Sequence, residues 1–597
     1  MAEYHNPQQE PGSERRLLII FLVTFALMLV LQPLFKKYFP QPPSAQQHET
    51  AAQNKPAPAP AAPVAVPSIP TPPPGVTKQA SSETETVIEN DLYKITFSNK
   101  GAQVTSWILK KFNNDAQSGP LDLVNTAAAQ KFGYPLSLWT YDETLRNKLS
   151  SVLYVGSQKG PSQPASEKSG SDKSPTTITF EYSDQDVSVL KTFRFNDSYV
   201  VNVETSVTEK GAPVAAFPAW PSGFGDQSTP AFYLSSFVDY QFDKNISRVP
   251  PRCGFSVFSK CTQVIGGATI PGPFHWAGPT DQYFAAVFIP DDPAAATMVT
   301  LNDSMTVPQK PDSKEVVPVN VLGAAVGNMH GPTIERVFIG PKELSVLQKV
   351  PVPGVGENDL SGLVDFGFFG AIAKVLFVWL RWTYYHMVAN WGWAIVVQTL
   401  IITVALLPLR ITQMKSMLKM QRVAPQIKAI QEKYKKYSLK DPRKAAMNEE
   451  IGALYKKEGV NPAGGCLPML IQLPFIWAYY RMLGTALDLR HAHWLWIHDL
   501  SAAEPFPFVL PVLMVISSLI MQRMTPQAGM DPAQQRMLNV MMPLMMGFIF
   551  FRLAAGLNLY YAEVNLIQIG QQAIMNRTKL GKEMREIMAK RARKKEK

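Results

Sequence analysis

The sequence has little cysteine and lacks the motifs of nucleotide-driven chemistry. Three cysteines in 597 residues are too few for a disulfide-rich scaffold. There is no GxxxxGK[ST] motif and no GxGxxG motif coupled to a strand, so no nucleotide site is predicted. No convincing nucleophile–base pair is present either. We therefore expect a protein that is not an enzyme and that needs no cofactor and no metal.

Positive charge is concentrated in two segments, and their position indicates the partner. The formal net charge of +11 predicts an anionic partner, either nucleic acid or a membrane surface. Residues 410–457 contain thirteen Lys/Arg and four Asp/Glu, and residues 577–597 contain ten and three. Because both segments flank long apolar runs, they favour membrane lipid and argue against specific nucleic-acid recognition.

The N-terminal residues predict a membrane anchor followed by a tether. Residues 17–35 are apolar and uncharged over about the length of a membrane span. A cleaved signal peptide is the alternative, but no clean small-x-small cleavage site follows, which favours an uncleaved anchor over residues 1–39. The Pro/Ala-rich residues 40–83 cannot bury a core and predict an extended, semi-rigid linker.

Residues 84–351 predict an all-β domain. Short β-branched and aromatic runs alternate with turn residues, as in YKITFSN, TTITFEYSD, VLKTFRF, YVVNVETSV and ERVFIGP. The segment is long enough for two packed sheets. Cys253 and Cys261 lie eight residues apart within it, either as a disulfide across a short loop or as two buried thiols.

The C-terminal part predicts an α-helical membrane core. Residues 352–389 predict an amphipathic interfacial helix and the approach to a first core span. Five apolar runs follow, at residues 391–409, 466–483, 508–521, 538–551 and 553–574. With the anchor they make six spans, five of them in a core at residues 390–576. The positive-inside rule places both basic segments and both termini in the cytoplasm, and the β domain outside it.

Polar residues inside these apolar runs are the candidate functional residues. Thr399 and Thr403 share one face of a helix, and the amides of the last run, including Gln572, fall within about 80° of arc. Such residues either join helices by hydrogen bonds or line a water-filled cavity. The amount of polarity on one face favours a cavity. The candidates for its lining are Thr399, Thr403, Gln472, Asn558, Tyr561, Asn565 and Gln568.

Two charges and a methionine series are also candidates. Arg481 and Glu563 lie inside apolar runs, where Arg481 either extends to the membrane interface or pairs with Glu563. Met414, Met417 and Met420 recur every three residues in a basic segment. Methionines there either fill gaps in a core or present a surface that accepts many apolar partners.

A series of ordered motifs resembles the YidC/Oxa family of membrane protein insertases. The motifs are EGVNPAGGCLPMLIQLP at residues 458–474, NWG at 390–392, LLPLR at 406–410, ALYKKEGVNP at 453–462, WIHDLS at 496–501 and GLNLYY at 556–561. The resemblance implies a bacterial inner-membrane insertase and chaperone without ATPase activity. Its partners would be nascent membrane proteins, alone or together with the Sec translocon.

The resemblance also implies roles for parts of the protein. A hydrophilic groove would receive the polar segment of the substrate, a helical hairpin at residues 411–459 would capture the substrate first, and the basic tail would contact the ribosome. The periplasmic domain would be a β-supersandwich similar to sugar mutarotases. The family pattern has an arginine in the groove where this sequence has Thr403.

Two other functional classes remain open at the level of sequence. A transporter or channel would also contain a polar cavity among helices, although the unequal spans show no internal repeat of the kind that transporters usually have. A periplasmic sugar-modifying enzyme on a membrane tether is the third class, because of the large β domain.

Overall fold

The computed structural model describes residues 77–160, 176–243, 245–253, 262–309, 313–353, 359–434, 437, 441–459, 467–524, 541–578, 582 and 586. Within these ranges the side chains of residues 231, 414, 417, 418, 421, 444, 467–473 and 542 are outside the description. The predicted anchor and most of the predicted linker also lie outside it. The protein divides into a unit of residues 42–364 and a unit of residues 1–41 with 365–597.

Antiparallel strands build most of the first unit. They are β1 (Glu85–Glu89), β2 (Tyr93–Ser98), β3 (Gln103–Asn113), β4 (Pro120–Asp122), β5 (Ser137–Thr140), β6 (Val155–Lys159), β7 (Thr176–Ser183), β8 (Val187–Phe195), β9 (Val200–Glu209), β10 (Ala212–Pro213), β11 (Ala216–Trp220), β12 (Phe237–Phe242), β13 (Asn245–Val249), β14 (Thr269–Pro271), β15 (Trp276–Thr280), β16 (Phe284–Pro290), β17 (Ala296–Pro308), β18 (Val316–Asn328) and β19 (Thr333–Pro341). The five runs singled out in the sequence coincide with β2, β7, β8, β9 and β19, so those strands were predicted correctly.

The described strands form three sheets. Their strand orders are β1-β2-β3-β4, then β13-β12-β15-β16-β19-β9-β8-β7-β6 with β10 beside β9, and β14-β17-β18-β11-β5. Four short helices accompany them in the described residues, namely α1 (Thr126–Phe132), α2 (Glu143–Ser151), α3 (Pro230–Leu234) and α4 (Leu344–Leu347). The unit is therefore β-rich, and the prediction of a purely β domain was too simple.

Aromatic side chains pack the sheets against one another. Alternate residues of β2 point inward, and Phe97 among them packs on Phe193 of β8 with ring centroids 5.0 Å apart. Trp107 of β3 meets Trp220 of β11 edge to face at 6.4 Å. Such pairs add to the stabilisation that their buried area alone provides.

One lysine is buried in this core. Lys191 of β8 has no exposed surface, and its Nζ donates hydrogen bonds to the carbonyl oxygens of Ala102 and Leu136. Loss of water around the ammonium group lowers the pKa of Lys191 to about 7. The side chain therefore links two segments of the domain by hydrogen bonds at the expense of its own charge.

Helices make up the second unit. They are α5 (Gly370–His386), α6 (Trp391–Ala405), α7 (Leu407–Lys433), α8 (Arg443–Lys457), α9 (Leu467–Thr485), α10 (Val509–Met524), α11 (Met542–Phe550) and α12 (Ala555–Arg577). Among the residues that the structure describes, no single helix combines the length and hydropathy of a membrane span. Helices α5 and α6 meet that test together and are bent by 119° relative to each other.

The helix that the sequence predicts within residues 352–389 begins later than the apolar pattern does. The apolar pattern starts at Leu360, but residues Leu360–Leu363 form only a 3₁₀ turn, and α5 begins at Gly370. Asp365 accepts a hydrogen bond from the backbone N–H of Gly367, which has a φ of +72°. This turn separates the two segments, because a left-handed residue interrupts a right-handed helix.

Helices α7 and α8 pack as an antiparallel hairpin. Val423 and Ile427 of α7 form a small core, against which Met420, Ile451, Leu454 and Tyr455 pack. Lys433 forms an ion pair with Glu450 at 3.2 Å. Met420 therefore fills a core here, whereas the side chains of Met414 and Met417 lie outside the described part.

Candidate functional site

A cleft opens among four helices of the second unit. We call it the polar cleft and define it by the lining residues Ile402, Thr403, Leu406, Leu409, Arg410, Gln413, Phe475, Tyr560, Val564, Gln568 and Gln571. They come from α6, the start of α7, α9 and α12, and the linker residue Leu406. The lining combines apolar walls with two hydroxyl-bearing residues, three amides and one guanidinium, so the cleft can accommodate both polar and apolar groups.

The cleft runs along α12 on one side and along the end of α6 and the start of α7 on the other. Its lining extends from Ile402 to Gln413 on one side and from Tyr560 to Gln571 on the other. Eleven residues at 1.5 Å each make about 16 Å. This is roughly half of the hydrocarbon thickness of a membrane, which is about 30 Å.

Thr403 and Arg410 lie on the same face although a proline separates them. Pro408 sits in the first turn of α7, where a missing N–H is tolerated, and the Arg410 N–H still bonds the carbonyl of Leu406 at 3.1 Å. The helical direction thus continues past Ala405. Seven residues are nearly two full turns, so Arg410 returns to the face of Thr403.

The guanidinium of Arg410 is only partly satisfied. Its Nη1 donates to Oε1 of Gln413 at 3.0 Å, and its Nη2 approaches Oε1 of Gln568 at 3.4 Å. Its Nε is buried and has no hydrogen-bond partner. Arg410 was not among the predicted site residues. A count of seven residues from Thr403 past Pro408 would have placed Arg410 on the same helix face.

A buried polar network bounds the Tyr560 end of the cleft. Tyr560 stacks on Tyr479 of α9 with ring centroids 4.1 Å apart. The hydroxyl of Tyr479 donates to Oε1 of Gln398 at 3.0 Å, and Nε2 of Gln398 donates to the carbonyl of Leu376 at 2.9 Å. This series of contacts joins α5, α6, α9 and α12 through buried polar groups, which satisfy one another.

Most of the amide face predicted on α12 points away from the cleft. Asn565 donates to the hydroxyls of Ser517 and Ser518 on α10, both at 3.1 Å, and Asn558 donates to the carbonyl of Phe550 at 3.0 Å. Tyr561 packs edge to face on Phe550 at 4.9 Å. These contacts join helices, as hydrogen bonds between helices do, and none of the three side chains is among the residues that line the polar cleft. Their place in a substrate groove stays a prediction.

The helical period of α12 explains why some of its polar side chains face the cleft and others face neighbouring helices. Asn558 and Asn565 are seven residues apart and form one seam towards α10 and α11, whereas the lining residues Tyr560, Val564 and Gln568 follow at intervals of four. Gln568 is therefore the member of the predicted amide face that reaches the cleft. Of the two predicted threonines, Thr403 lines it, while Thr399 is fully buried and its hydroxyl bonds the carbonyl of Ile395 at 2.7 Å.

The two charged candidates, Arg481 and Glu563, have different partners in the structure. Arg481 pairs with Asp365, just ahead of α5, so the predicted Arg481–Glu563 ion pair does not form and that prediction was wrong. Glu563 interacts instead with Thr399.

The side chain of Gln472 lies outside the described residues, and so does Cys261, whereas Cys253 is disulfide-bonded. Its pairing with Cys261 stays a prediction.

The short motifs of the sequence meet at the other end of the helices. A Cβ on Gly392 would lie 2.2 Å from the indole of Trp494, so only glycine allows this packing. The N–H of Gly556 bonds the carbonyl of Leu500 at 2.8 Å, and the amide of Asn390 donates to the carbonyl of His493 at 2.9 Å. NWG and GLNLYY therefore both pack on the segment of residues 493–500, which includes part of WIHDLS, and hold the helix ends together.

Comparison with known proteins assigns the family. The family model "60Kd inner membrane protein" matches residues 382–583, and "YidC periplasmic domain" matches residues 85–379. The membrane protein insertase YidC of Cupriavidus necator is 34% identical over 68% of this chain and 69% of its own length. The chain belongs to the YidC family of membrane protein insertases. The YidC of Geobacter metallireducens is 29% identical over 95% of this chain and 98% of its own length.

Family membership assigns the two units. The β-rich unit is a periplasmic domain, and the helical unit is the core of an inner-membrane insertase, which is not an enzyme. A solved structure described as an active YidC insertase with the first transmembrane domain resolved is 21% identical, with a TM-score of 0.33, over 84% of this chain and 94% of its own.

Proposed function

We propose that the polar cleft receives the hydrophilic segment of a nascent membrane protein from the cytoplasm, while the adjoining apolar segment passes into lipid. The observation that carries the proposal is the lining, in which Thr403, Arg410, Gln413, Gln568 and Gln571 stand among apolar walls. Side chains of this kind are tolerated at membrane depth where they line a wet cavity.

The length of the cleft supports this role. A hydrophilic segment that enters a wet cleft of about 16 Å has roughly half of the 30 Å hydrocarbon layer left to cross. The free energy for the whole process comes from burial of the substrate's apolar span in lipid, at about 25 cal/mol for each Å² of apolar surface removed from water. Insertion therefore needs no nucleotide.

The wider arrangement is part of the same proposal. The protein spans the inner membrane six times with both termini in the cytoplasm, and the periplasmic domain is a β-supersandwich. The hairpin of α7 and α8 captures substrate, the basic tail binds the ribosome, and the protein works alone or with the Sec translocon. The uneven distribution of Lys and Arg supports this topology, because basic loops stay in the cytoplasm.

Reconstitution tests the proposal. The purified protein in liposomes should insert a single-span substrate without nucleotide, faster than protein-free liposomes do. Thr403→Trp, which fills the cleft, should lower the rate to near the protein-free value. Leu400→Trp is the matched control, because Leu400 lies on the same helix, is 48% exposed and does not line the cleft. Equal rates for the two variants would contradict the cleft's role, and solute flux without insertion would indicate a transporter.

A further inference from the structure

Two ion pairs of opposite polarity join α5 to the Thr485 end of α9, where the two helices pack against each other. Arg481 of α9 pairs with Asp365, just ahead of α5, and its Nη2 also donates to the backbone carbonyl of Asp365 at 3.1 Å. Arg381 of α5 pairs with Asp488, just past the end of α9, with 3.9 Å between Nε and Oδ1. Each side of the contact therefore contributes one acid and one base.

The order of these charges fixes the register of α5 on α9. A shift of α5 that brought Arg381 towards Arg481 would place two like charges together, which is unfavourable. The side chains of Arg381 and Asp488 are only 20% and 12% exposed, so water and salt screen their attraction weakly. The two pairs therefore favour a single arrangement of the two helices.

The part of α9 that carries Arg481 also contributes to the polar cleft. Pro474 lies inside α9 and cannot donate a hydrogen bond to the preceding turn, so the helix is free to bend there. Directly after it, Phe475 lines the cleft, and Tyr479 stacks on Tyr560. At 100° per residue, Arg481 lies about 120° and about 160° around the helix from Phe475 and Tyr479. It therefore anchors the side of α9 that faces away from the cleft.

We propose that Arg481 is a positioning residue whose ion pair with Asp365 sets the rotation of α9 that directs Phe475 into the polar cleft, an inference that rests on the proposed function. The pair of Arg381 and Asp488 holds α5 in the same register. Arg481 itself does not line the cleft. It acts through α9, because Arg481 and Phe475 are less than two helical turns apart on one hydrogen-bonded backbone.

Photo-cross-linking from two positions of α9 tests the rotation. Residue 475 lines the cleft, whereas Trp477 is 54% exposed, does not line the cleft and lies about 200° further around the helix. In the wild type, the hydrophilic segment of a ribosome-stalled membrane protein should cross-link more from residue 475 than from residue 477. Arg481→Met keeps most of the apolar stem and removes the charge, so it should lower the 475-to-477 ratio about threefold or more. The thermal unfolding midpoint is measured in parallel.

Further variants assign the effect to the ion pair. Asp365→Asn removes the charge but keeps an acceptor for the N–H of Gly367, so it should lower the ratio as Arg481→Met does. The two changes together should lower it no further, because both break the same pair. Arg481→Lys keeps the charge and should recover most of the ratio. Arg523→Met, which removes an exposed arginine that does not line the cleft, is the matched control and should leave the ratio unchanged.

Three results separate the possible failures. A wild-type ratio in Arg481→Met, even with a lower unfolding midpoint, would overturn the proposal and leave Arg481 a structural role only. A lowered ratio in Arg481→Met but not in Asp365→Asn would also overturn it, because the ion pair would not be the cause. A wild type that cross-links no more from residue 475 than from residue 477 would instead contradict the proposed function. If Arg481→Met does not fold, Asp365→Asn decides by the same ratio.

Discussion

Burial changes the protonation of a single side chain at Lys191. Its folded pKa of about 7 lies below the ordinary value of 10.5, because the ammonium group loses its water. Between these two values the unfolded protein binds more protons than the folded protein. The free energy of unfolding therefore rises with pH across that window, by about 4 to 5 kcal/mol over its full width, and stays constant below it.

Lys191→Met should abolish this pH dependence, because methionine has no proton to lose. Thermal unfolding of the periplasmic domain, followed by near-ultraviolet circular dichroism of its tryptophans, should show a midpoint that rises from pH 7 to about pH 9 in the wild type only. Lys210→Met, at an exposed lysine, should behave like the wild type. A wild-type midpoint that is flat or falls over this range would show that Lys191 stays charged when folded.

At the scale of an element, α12 presents two polar faces with different roles. Asn565 bonds two serines of α10, whereas Gln568, three residues later, faces the cleft. The helical period predicts that the amides lie within a limited arc. It does not predict which neighbouring helix each one meets, because that depends on the packing of segments some 50 to 150 residues away in the sequence.

Asn565→Leu should therefore affect stability, and Gln568→Leu should affect the insertion rate. Asn565→Leu removes two interhelical hydrogen bonds and should lower the stability of the helical unit by about 1 kcal/mol, measured by thermal unfolding in detergent, with little change in the insertion rate. Gln568→Leu should slow insertion and leave the unfolding midpoint unchanged. Loss of stability in both variants, with equal insertion rates, would show that the two faces are not distinct.

The hairpin of α7 and α8 depends on a small apolar core. Ile427→Ala removes methylene groups from it and should weaken the packing by about 2 kcal/mol. Hydrogen exchange at residues 443–457 should become faster, while the rest of the helical unit is unaffected. Lys428→Ala, at the neighbouring exposed position, is the control. Unchanged exchange in Ile427→Ala would mean that the ion pair of Lys433 and Glu450 is sufficient to hold the hairpin.

For the whole molecule, the sequence predicts the classes of structure better than the site. Period-two runs predicted strands such as β2 and β8, because one face of each strand is buried. The polar cleft needs α6, α7, α9 and α12 together, and sequence periodicity contains no information on which helices become neighbours. Arg410 was missed for a local reason, since the predicted span ended at residue 409 and Arg410 was counted with the basic segment of residues 410–457.

Cross-linking from two adjacent glutamines tests the central claim most directly. Gln571 lines the polar cleft, whereas Gln572 is buried and donates to Asn576 at 3.1 Å. A photoreactive residue at 571 should cross-link to the hydrophilic segment of a ribosome-stalled membrane protein, and one at 572 should cross-link only within the protein. Both positions lie on the same helix at nearly the same depth, so they differ chiefly in the direction in which their side chains point. Substrate cross-links from 572 that equal or exceed those from 571 would contradict the account, because the segment would then pass elsewhere than through the cleft.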